Sequence, residues 1–184
     1  RMKLQLAFLK DKDAVDKLTD DINEMEKMLN EYLQFTKTGA NERTIKFDLV
    51  NLISDIVNKY NNPKINFIKD NDFIFEGRKQ LLKRCINNII DNSLKYGEQV
   101  DVKLKKLRKE VVINIEDDGP GIPKHEHENV FKPFYKIDKS RSETKSSVGL
   151  GLSISSDIIR SHGGRIKLAK STLGGLKVMI FLPI

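Results

Sequence analysis

From Asp48 onward, apolar residues recur with a helical period in some segments and with a strand period in others. The helical spacing predicts helices at 48–60, 78–96 and 151–162. Alternating or short apolar runs predict strands at 65–68, 73–75, 99–105, 111–117, 165–170 and 176–182, with 40–47 as a linker or an edge strand. Because helices and strands interleave and the chain closes with a hairpin, the pattern predicts an α+β fold, an α/β sandwich in which helices cover one mixed β-sheet.

Residues 15–32 follow the pattern of a coiled coil. Apolar residues recur there at alternating intervals of three and four: Val15, Leu18, Ile22, Met25, Leu29 and Tyr32. This heptad seam predicts part of a helical hairpin that dimerises into a four-helix bundle. A helix packed against its own globular domain is the alternative. We therefore expect two domains, a partial dimerisation bundle over 1–39 and a globular domain over 40–184.

Composition excludes several kinds of protein. The single cysteine, Cys85, cannot form a disulfide framework or a thiolate metal site. No apolar run reaches the ~18 residues that a membrane span needs. The 184 residues carry a net charge of +7, with the cations spread among acids. A solvated surface explains this charge, but so does a polyanionic partner, and a bound nucleotide is one such polyanion.

The predicted helix at 78–96 carries a polar stripe. Asn88, Asn92 and Lys95 lie at i, i+4 and i+7, so they share one face of the helix. Asparagine is unfavourable inside helices, so the stripe is either an exposed polar face or a binding surface. An amide oxygen is a hard, neutral ligand that suits Mg²⁺, and Lys95 would place a positive charge on a phosphate.

Two glycine turns follow this helix. Asp117-x-Gly119-x-Gly121 comes at the end of a predicted strand. Its acid can accept a hydrogen bond from an adenine amino group, and its glycines allow the backbone to lie against a flat ring, although an ordinary turn would have the same sequence. Gly149-Leu150-Gly151-Leu152 leads into the last helix, where unpaired backbone N–H groups favour a phosphate.

The stretch between the two turns, 123–148, has no regular pattern and is too long for an ordinary connection. This length indicates a functional lid. Phe131 and Phe134 interrupt its polarity, and they either fold over a bound nucleotide or anchor the loop to the core. His125 and His127 are expected to be solvated in this loop rather than to bind a metal.

The order of these elements closely resembles the N, G1, F and G2 boxes of the ATP-binding domain of bacterial sensor histidine kinases. The resemblance implies the Bergerat fold, shared with gyrase B, Hsp90 and MutL, after a dimerisation bundle most like that of EnvZ-type osmosensors. It implies ATP and Mg²⁺ as cofactors, with Asn92 as the metal ligand. The ATP-binding residues that it implies are Asn88, Asn92, Lys95, Tyr96, Asp117, Gly119, Gly121, Ile122, Phe131, Phe134, Gly149, Leu150, Gly151 and Leu152. Ser147-Val148 departs from the family, which often has a further glycine there.

In such kinases the γ-phosphate goes first to a bundle histidine that is followed by an acid and by Arg-x-Pro. None of the three histidines, His125, His127 and His162, has this context. The resemblance therefore places the acceptor upstream of Arg1, so we expect the chain to bind Mg·ATP without phosphorylating itself.

The resemblance also implies partners and a location. It implies a homodimer through the helical segment and transfer to an aspartate of an OmpR-like response regulator. It places the chain in the cytoplasmic portion of an inner-membrane sensor, with no direct contact to nucleic acid or membrane.

Two other functions stay open. A Bergerat-fold ATPase of the gyrase or MutL kind carries a catalytic glutamate one turn before the metal asparagine, where this chain has Asn88. A regulatory nucleotide-binding or dimerisation module with an inactive site would have no need of Asn92 and the intact glycines.

Overall fold

The computed structural model describes residues 42–69, 72–137 and 149–184, together with separate helical positions between 15 and 33. In chain order, the strands and α-helices are β1 (Ile45–Asp48), α1 (Leu49–Tyr60), β2 (Ile65–Lys69), β3 (Ile74–Gly77), α2 (Lys79–Tyr96), β4 (Val100–Lys106), β5 (Glu110–Asp117), α3 (Gly151–Arg160), β6 (Arg165–Lys170) and β7 (Leu176–Pro183). Every helix and strand predicted from residue 48 onward is present, with its ends within two residues of the prediction.

Five strands form one mixed sheet in the order β2-β4-β5-β7-β6. β2 and β4 are parallel, and the other neighbouring pairs are antiparallel. One face of the sheet packs on the helices through residues such as Val102, Ile113 and Ile180, which are fully buried. Alternate residues such as Lys103 and Lys177 lie on the other face and are partly exposed. The predicted α+β sandwich is confirmed, with its helices on one face of the sheet.

The prediction of a single sheet is wrong in one respect. β1 and β3 pair with each other as a separate two-stranded antiparallel sheet. The pairing places Phe47 opposite Phe75, with ring centroids 6.0 Å apart and both side chains buried. Each strand is only four residues long, so this aromatic contact supplies much of the burial that holds the pair together.

The helices begin in two different ways. α1 is capped by the side chain of Asp48, as predicted. Arg78 precedes α2 and provides no side-chain cap. Instead, the carboxylate of Glu42 accepts the backbone N–H groups of Gln80 and Leu81 at 2.5 and 3.0 Å. The predicted apolar face of α2 is buried throughout: Leu81, Leu82, Cys85, Ile86, Ile89 and Ile90.

The predicted heptad seam is only partly described. Five of its residues are helical: Val15, Leu18, Ile22, Met25 and Leu29; Tyr32 lies outside the described residues. Leu18, Met25 and Leu29 are exposed in the single chain. The dimerisation bundle therefore stays a prediction. No helix within the described part of the chain is long and apolar enough to cross a membrane.

Candidate functional site

Three segments meet at one end of the α/β layer: the C-terminal half of α2, the end of β5 and the start of α3. The Nδ2 group of Asn88 donates to the carbonyl oxygen of Gly151 at 3.4 Å. A Cβ atom on Gly151 would lie 3.4 Å from Nδ2 of Asn92. At the C-terminal end of α2, a Cβ atom on Gly119 would lie 3.0 Å from the carbonyl oxygen of Tyr96. One helix therefore contacts both glycine turns that the sequence singled out.

Asp117 lies at the end of the central strand β5 and is 4% exposed. Its Oδ1 atom accepts the backbone N–H groups of Gly119 at 3.0 Å and of Leu176 at 2.9 Å. Its carbonyl oxygen accepts the N–H of Gly175 at 3.1 Å. These bonds orient the carboxylate, and Oδ2 takes no part in them. Oδ2 can therefore accept a hydrogen bond from a group such as an exocyclic amine.

The β6–β7 turn supports this acid, and the sequence analysis missed it. A Cβ atom on Gly175 would overlap both Oδ1 of Asp117 and the backbone nitrogen of Gly119. The carbonyl oxygen of Gly175 also lies 3.3 Å from the Cβ position of Gly121, whose φ is +71°. The Gly174-Gly175 pair is the feature of the sequence that indicates this role, because only glycine allows the backbone to approach a carboxylate so closely.

The second turn forms the start of α3. Gly149 has a φ of +76°, and Leu150 at the cap position makes no side-chain cap bond to the first turn. An uncapped helix start of this kind is suited to an anion. The side chain of Leu150 is buried and that of Leu152 packs against the core. Any contact of these two leucines with a ligand would therefore come from their backbone.

The polar stripe of α2 faces this turn. Asn88, Asn92 and Lys95 are partly buried, whereas Tyr96 is 56% exposed. The Nζ atom of Lys95 lies 5.3 Å from the ring centroid of Tyr96, which is a cation–π distance. The two amide groups lie beside a helix start suited to phosphate, and this donor set fits an ion that takes amide and phosphate oxygens together.

The prediction of a pattern-free stretch at 123–148 is wrong for its first half. This half contains two short 3₁₀ helices, Lys124–Glu126 and Asn129–Phe131. Phe131 is partly buried, beside the buried Val130. Residues 138–148, including Ser147-Val148, lie outside the described residues.

Phe134 is linked to the second glycine turn. Its side chain is 54% exposed, its φ is +65°, and its N–H donates to the carbonyl oxygen of Gly149 at 3.0 Å. The neighbouring Tyr135 hydroxyl donates to Glu126 at 2.6 Å. The bond from Tyr135 and a second one from Asn129 lower the pKa of Glu126, and the bond to Glu126 raises the pKa of Tyr135.

Two histidines are held by the fold. The prediction that His127 is solvated is wrong, because the residue is partly buried and its Nε2 lies 3.1 Å from the carbonyl oxygen of Ile122. His162 accepts the N–H of Arg78 at Nε2 and lies 2.8 Å from the carbonyl oxygen of Ile158 at Nδ1. Burial lowers the pKa of His162. This pair of bonds fixes a neutral imidazole with its proton on Nδ1.

A family model described as histidine kinase-, DNA gyrase B- and HSP90-like ATPase matches residues 77–184. The chain belongs to this family. The match covers both glycine turns and the asparagine stripe, so the segments that meet at the site are those of a known ATPase family.

Individual relatives narrow the family to sensor kinases. The sensor histidine kinase GtrS of Pseudomonas aeruginosa is 33% identical over 185 residues, which cover 100% of this chain and 38% of GtrS. The ATP-binding domain of PrrB from Mycobacterium tuberculosis has a TM-score of 0.62 and 25% identity, covering 76% of this chain and 96% of that domain. The histidine kinase domain of the E. coli osmosensor EnvZ has a TM-score of 0.60 and 26% identity, covering 79% and 92%. The predicted resemblance to sensor histidine kinases is confirmed, and the EnvZ and PrrB domains are similar to this chain to about the same degree.

Proposed function

We propose that this chain is the ATP-binding catalytic part of a sensor histidine kinase. It holds Mg·ATP and supplies the γ-phosphate to a histidine outside the 184 residues. The observation that carries the proposal is that α2 contacts both turns: Asn88 and Asn92 at Gly151, and Tyr96 at Gly119. The eight helical steps from Asn88 to Tyr96 span about 12 Å, which separates a base-binding end from a phosphate-binding end.

Each end has a distinct task. Oδ2 of Asp117 accepts the amino group of adenine, while the glycine backbone beside it lies along the ring. The start of α3 binds the phosphates with its backbone N–H groups. The amide oxygen of Asn92, aided by Asn88, would hold Mg²⁺, which spreads the charge that develops during phosphoryl transfer. Catalysis by these residues consists of placing the γ-phosphate in line with an incoming nucleophile.

The remaining parts of the proposal concern the longer protein. The relatives are sensor kinases, so a response regulator is the expected phosphate acceptor after the histidine, and a dimer through residues 1–39 is expected to present that histidine. We extend this to an OmpR-like regulator and to a cytoplasmic position in an inner-membrane sensor. The boundary between the bundle and the ATP-binding domain, at 39/40, belongs to the same proposal.

Calorimetric titration with Mg·ATP tests the function, comparing the native chain with Asn92→Ala. We expect Asn92→Ala to weaken binding about tenfold in the presence of Mg²⁺, since it removes a metal ligand, and to have little effect in EDTA. Asn87→Ala is the matched control, because Asn87 lies on the same helix and its nearest side-chain partner is the hydroxyl of Tyr60, at 3.5 Å. Equal affinities in all three proteins would contradict the assignment of Asn92.

A second experiment separates the kinase from its two rivals. Incubation with γ-labelled ATP should leave no label on the chain and should release little inorganic phosphate. Rapid phosphate release would favour a Bergerat-fold ATPase, and no ATP binding by the native chain would favour an inactive module. A label on His125, His127 or His162 would refute the external acceptor.

A further inference from the structure

A small hydrogen-bond network lies before the second glycine turn. The Tyr135 hydroxyl donates to Oε2 of Glu126 at 2.6 Å, and Nδ2 of Asn129 donates to the same oxygen at 3.0 Å. The Nζ atom of Lys132 donates to Oδ1 of Asn129 at 2.8 Å. We name the Glu126–Tyr135 bond the clasp, since it joins the two ends of the segment 126–135.

The clasp is connected to the phosphate-binding turn through backbone. Phe134 donates its N–H to the carbonyl oxygen of Gly149 at 3.0 Å. The carbonyl oxygen of Tyr135 lies 2.9 Å from the Cβ position of Gly149. Phe134 and Gly149 both have positive φ values, +65° and +76°. A non-glycine residue persists in this conformation only when its surroundings impose it, and the residue that follows Phe134 is Tyr135, which forms the clasp.

We propose that Glu126 and Tyr135 are positioning residues for the phosphates of the nucleotide. The clasp fixes Phe134, Phe134 fixes Gly149, and the backbone of 149–151 is thereby ordered before a phosphate arrives. The inference rests on the proposed function, because it assigns a role within the same site. It predicts a selective effect: loss of the clasp weakens the binding of the phosphates and leaves the binding of adenine unchanged. Adenine is bound by Asp117, which the turn at Gly175 supports.

The test compares Tyr135→Phe with the native chain, using Mg·ATP and adenosine as separate ligands. We expect Tyr135→Phe to lower the affinity for Mg·ATP about fivefold, because the turn is no longer ordered before the phosphates bind. The affinity for adenosine should change by less than about twofold. Glu126→Ala should have the same selective effect, because it removes the acceptor of the clasp. Tyr60→Phe is the matched control, because it removes a Tyr–Asp bond of 2.7 Å to Asp91, between α1 and α2 and away from the turn.

Hydrogen exchange at the Phe134 amide gives a readout that needs no nucleotide. Exchange should be faster in Tyr135→Phe than in the native chain or in Tyr60→Phe. Three results would each overturn the positioning role. They are an equal loss of affinity for Mg·ATP and adenosine in Tyr135→Phe, the same loss in Tyr60→Phe, and an unchanged exchange rate at the Phe134 amide. Failure of the native chain to bind Mg·ATP would refute the proposed function, and the exchange rate would still decide whether the clasp holds the turn.

Discussion

The two ends of the candidate site are built from different kinds of structure. At the adenine end, Asp117 is the last residue of a central strand and is fixed by backbone bonds from Gly119 and Leu176. At the phosphate end, Gly149 is fixed by Phe134, which belongs to a loop segment held by partly buried side chains near the surface. The first end is part of the core, whereas the second depends on contacts at the surface.

This difference indicates how the work of binding is divided. A carboxylate oriented by the sheet costs little to organise when the ligand arrives, so the base is recognised by a preformed site. The phosphate turn is held by a loop rather than by the sheet, so it is easier to displace. Changes at the adenine end should therefore weaken the binding of every adenine ligand, whereas changes at the phosphate end should weaken the binding of ATP but not of adenosine.

Gly175→Ala is expected to have the largest effect. Its Cβ would overlap Oδ1 of Asp117 and the backbone nitrogen of Gly119, so both hydrogen bonds to Oδ1 are lost. Calorimetry should show that the affinities for ATP and for adenosine both fall, by more than about a hundredfold. Gly174→Ala is the control: it is strained at φ +111°, but its Cβ meets nothing within 4 Å. Comparable losses in both variants would mean that turn strain, not overlap, disturbs Asp117.

Asp117→Asn is expected to lower the affinities for ATP and adenosine by about thirtyfold. An amide oxygen is a weaker acceptor than a carboxylate oxygen, and the amide can instead place its NH₂ group opposite the base. The fold should survive, because Asn keeps an oxygen for the N–H groups of Gly119 and Leu176. Competition with guanosine checks the assignment. If the variant still prefers adenosine to guanosine as strongly as the native chain, Asp117 does not recognise the base.

Gly149→Ala tests the phosphate end. Its φ of +76° costs an alanine about 1–2 kcal/mol, and its Cβ would lie 2.9 Å from the carbonyl oxygen of Tyr135. We expect ATP affinity to fall about tenfold and adenosine affinity to stay within about twofold. Gly163→Ala carries the same backbone strain at φ +71°, beside Pro183 and away from the site. It should lower the melting temperature without changing the ratio of the two affinities.

The sequence was sufficient for the elements and for the residues that carry them. Helix-period spacing located α2 within one residue and put Asn88, Asn92 and Lys95 on one face of it. In the structure, Asn88 and Asn92 of this face meet the start of α3. These features depend on local periodicity, which a single sequence shows directly. The family resemblance added the expected roles of the two glycine turns in binding adenine and phosphate.

The remaining features depend on contacts between distant residues. Glu42 caps α2 across 38 positions, and Leu176 binds Asp117 across 59. Nothing in the local pattern marks either contact, because a backbone N–H has no sequence signature of its own. The pairing of β1 with β3 was missed for the same reason, since the pattern of a four-residue strand does not specify its partner.

Glu116 precedes Asp117 on the same strand but points to the opposite face of the sheet, so it should leave nucleotide binding almost unchanged. It is 1% exposed; its carboxylate accepts the N–H and hydroxyl of Thr172 and lies 3.2 Å from Nζ of Lys177. Burial raises its pKa, but these partners outweigh burial and lower the pKa from 4.5 to about 2.

A folded pKa below the unfolded one means that the stabilisation is complete above about pH 4.5 and is lost as the pH falls toward 2. Glu116→Gln should therefore cost about 1 kcal/mol at neutral pH, because the lysines stay partly hydrated, and should flatten the acid limb of a pH–stability curve from urea unfolding. ATP affinity should change less than about twofold. A large loss of ATP affinity without loss of stability would show that the outer face of β5 also serves the site, and the contrast with Asp117 would fail.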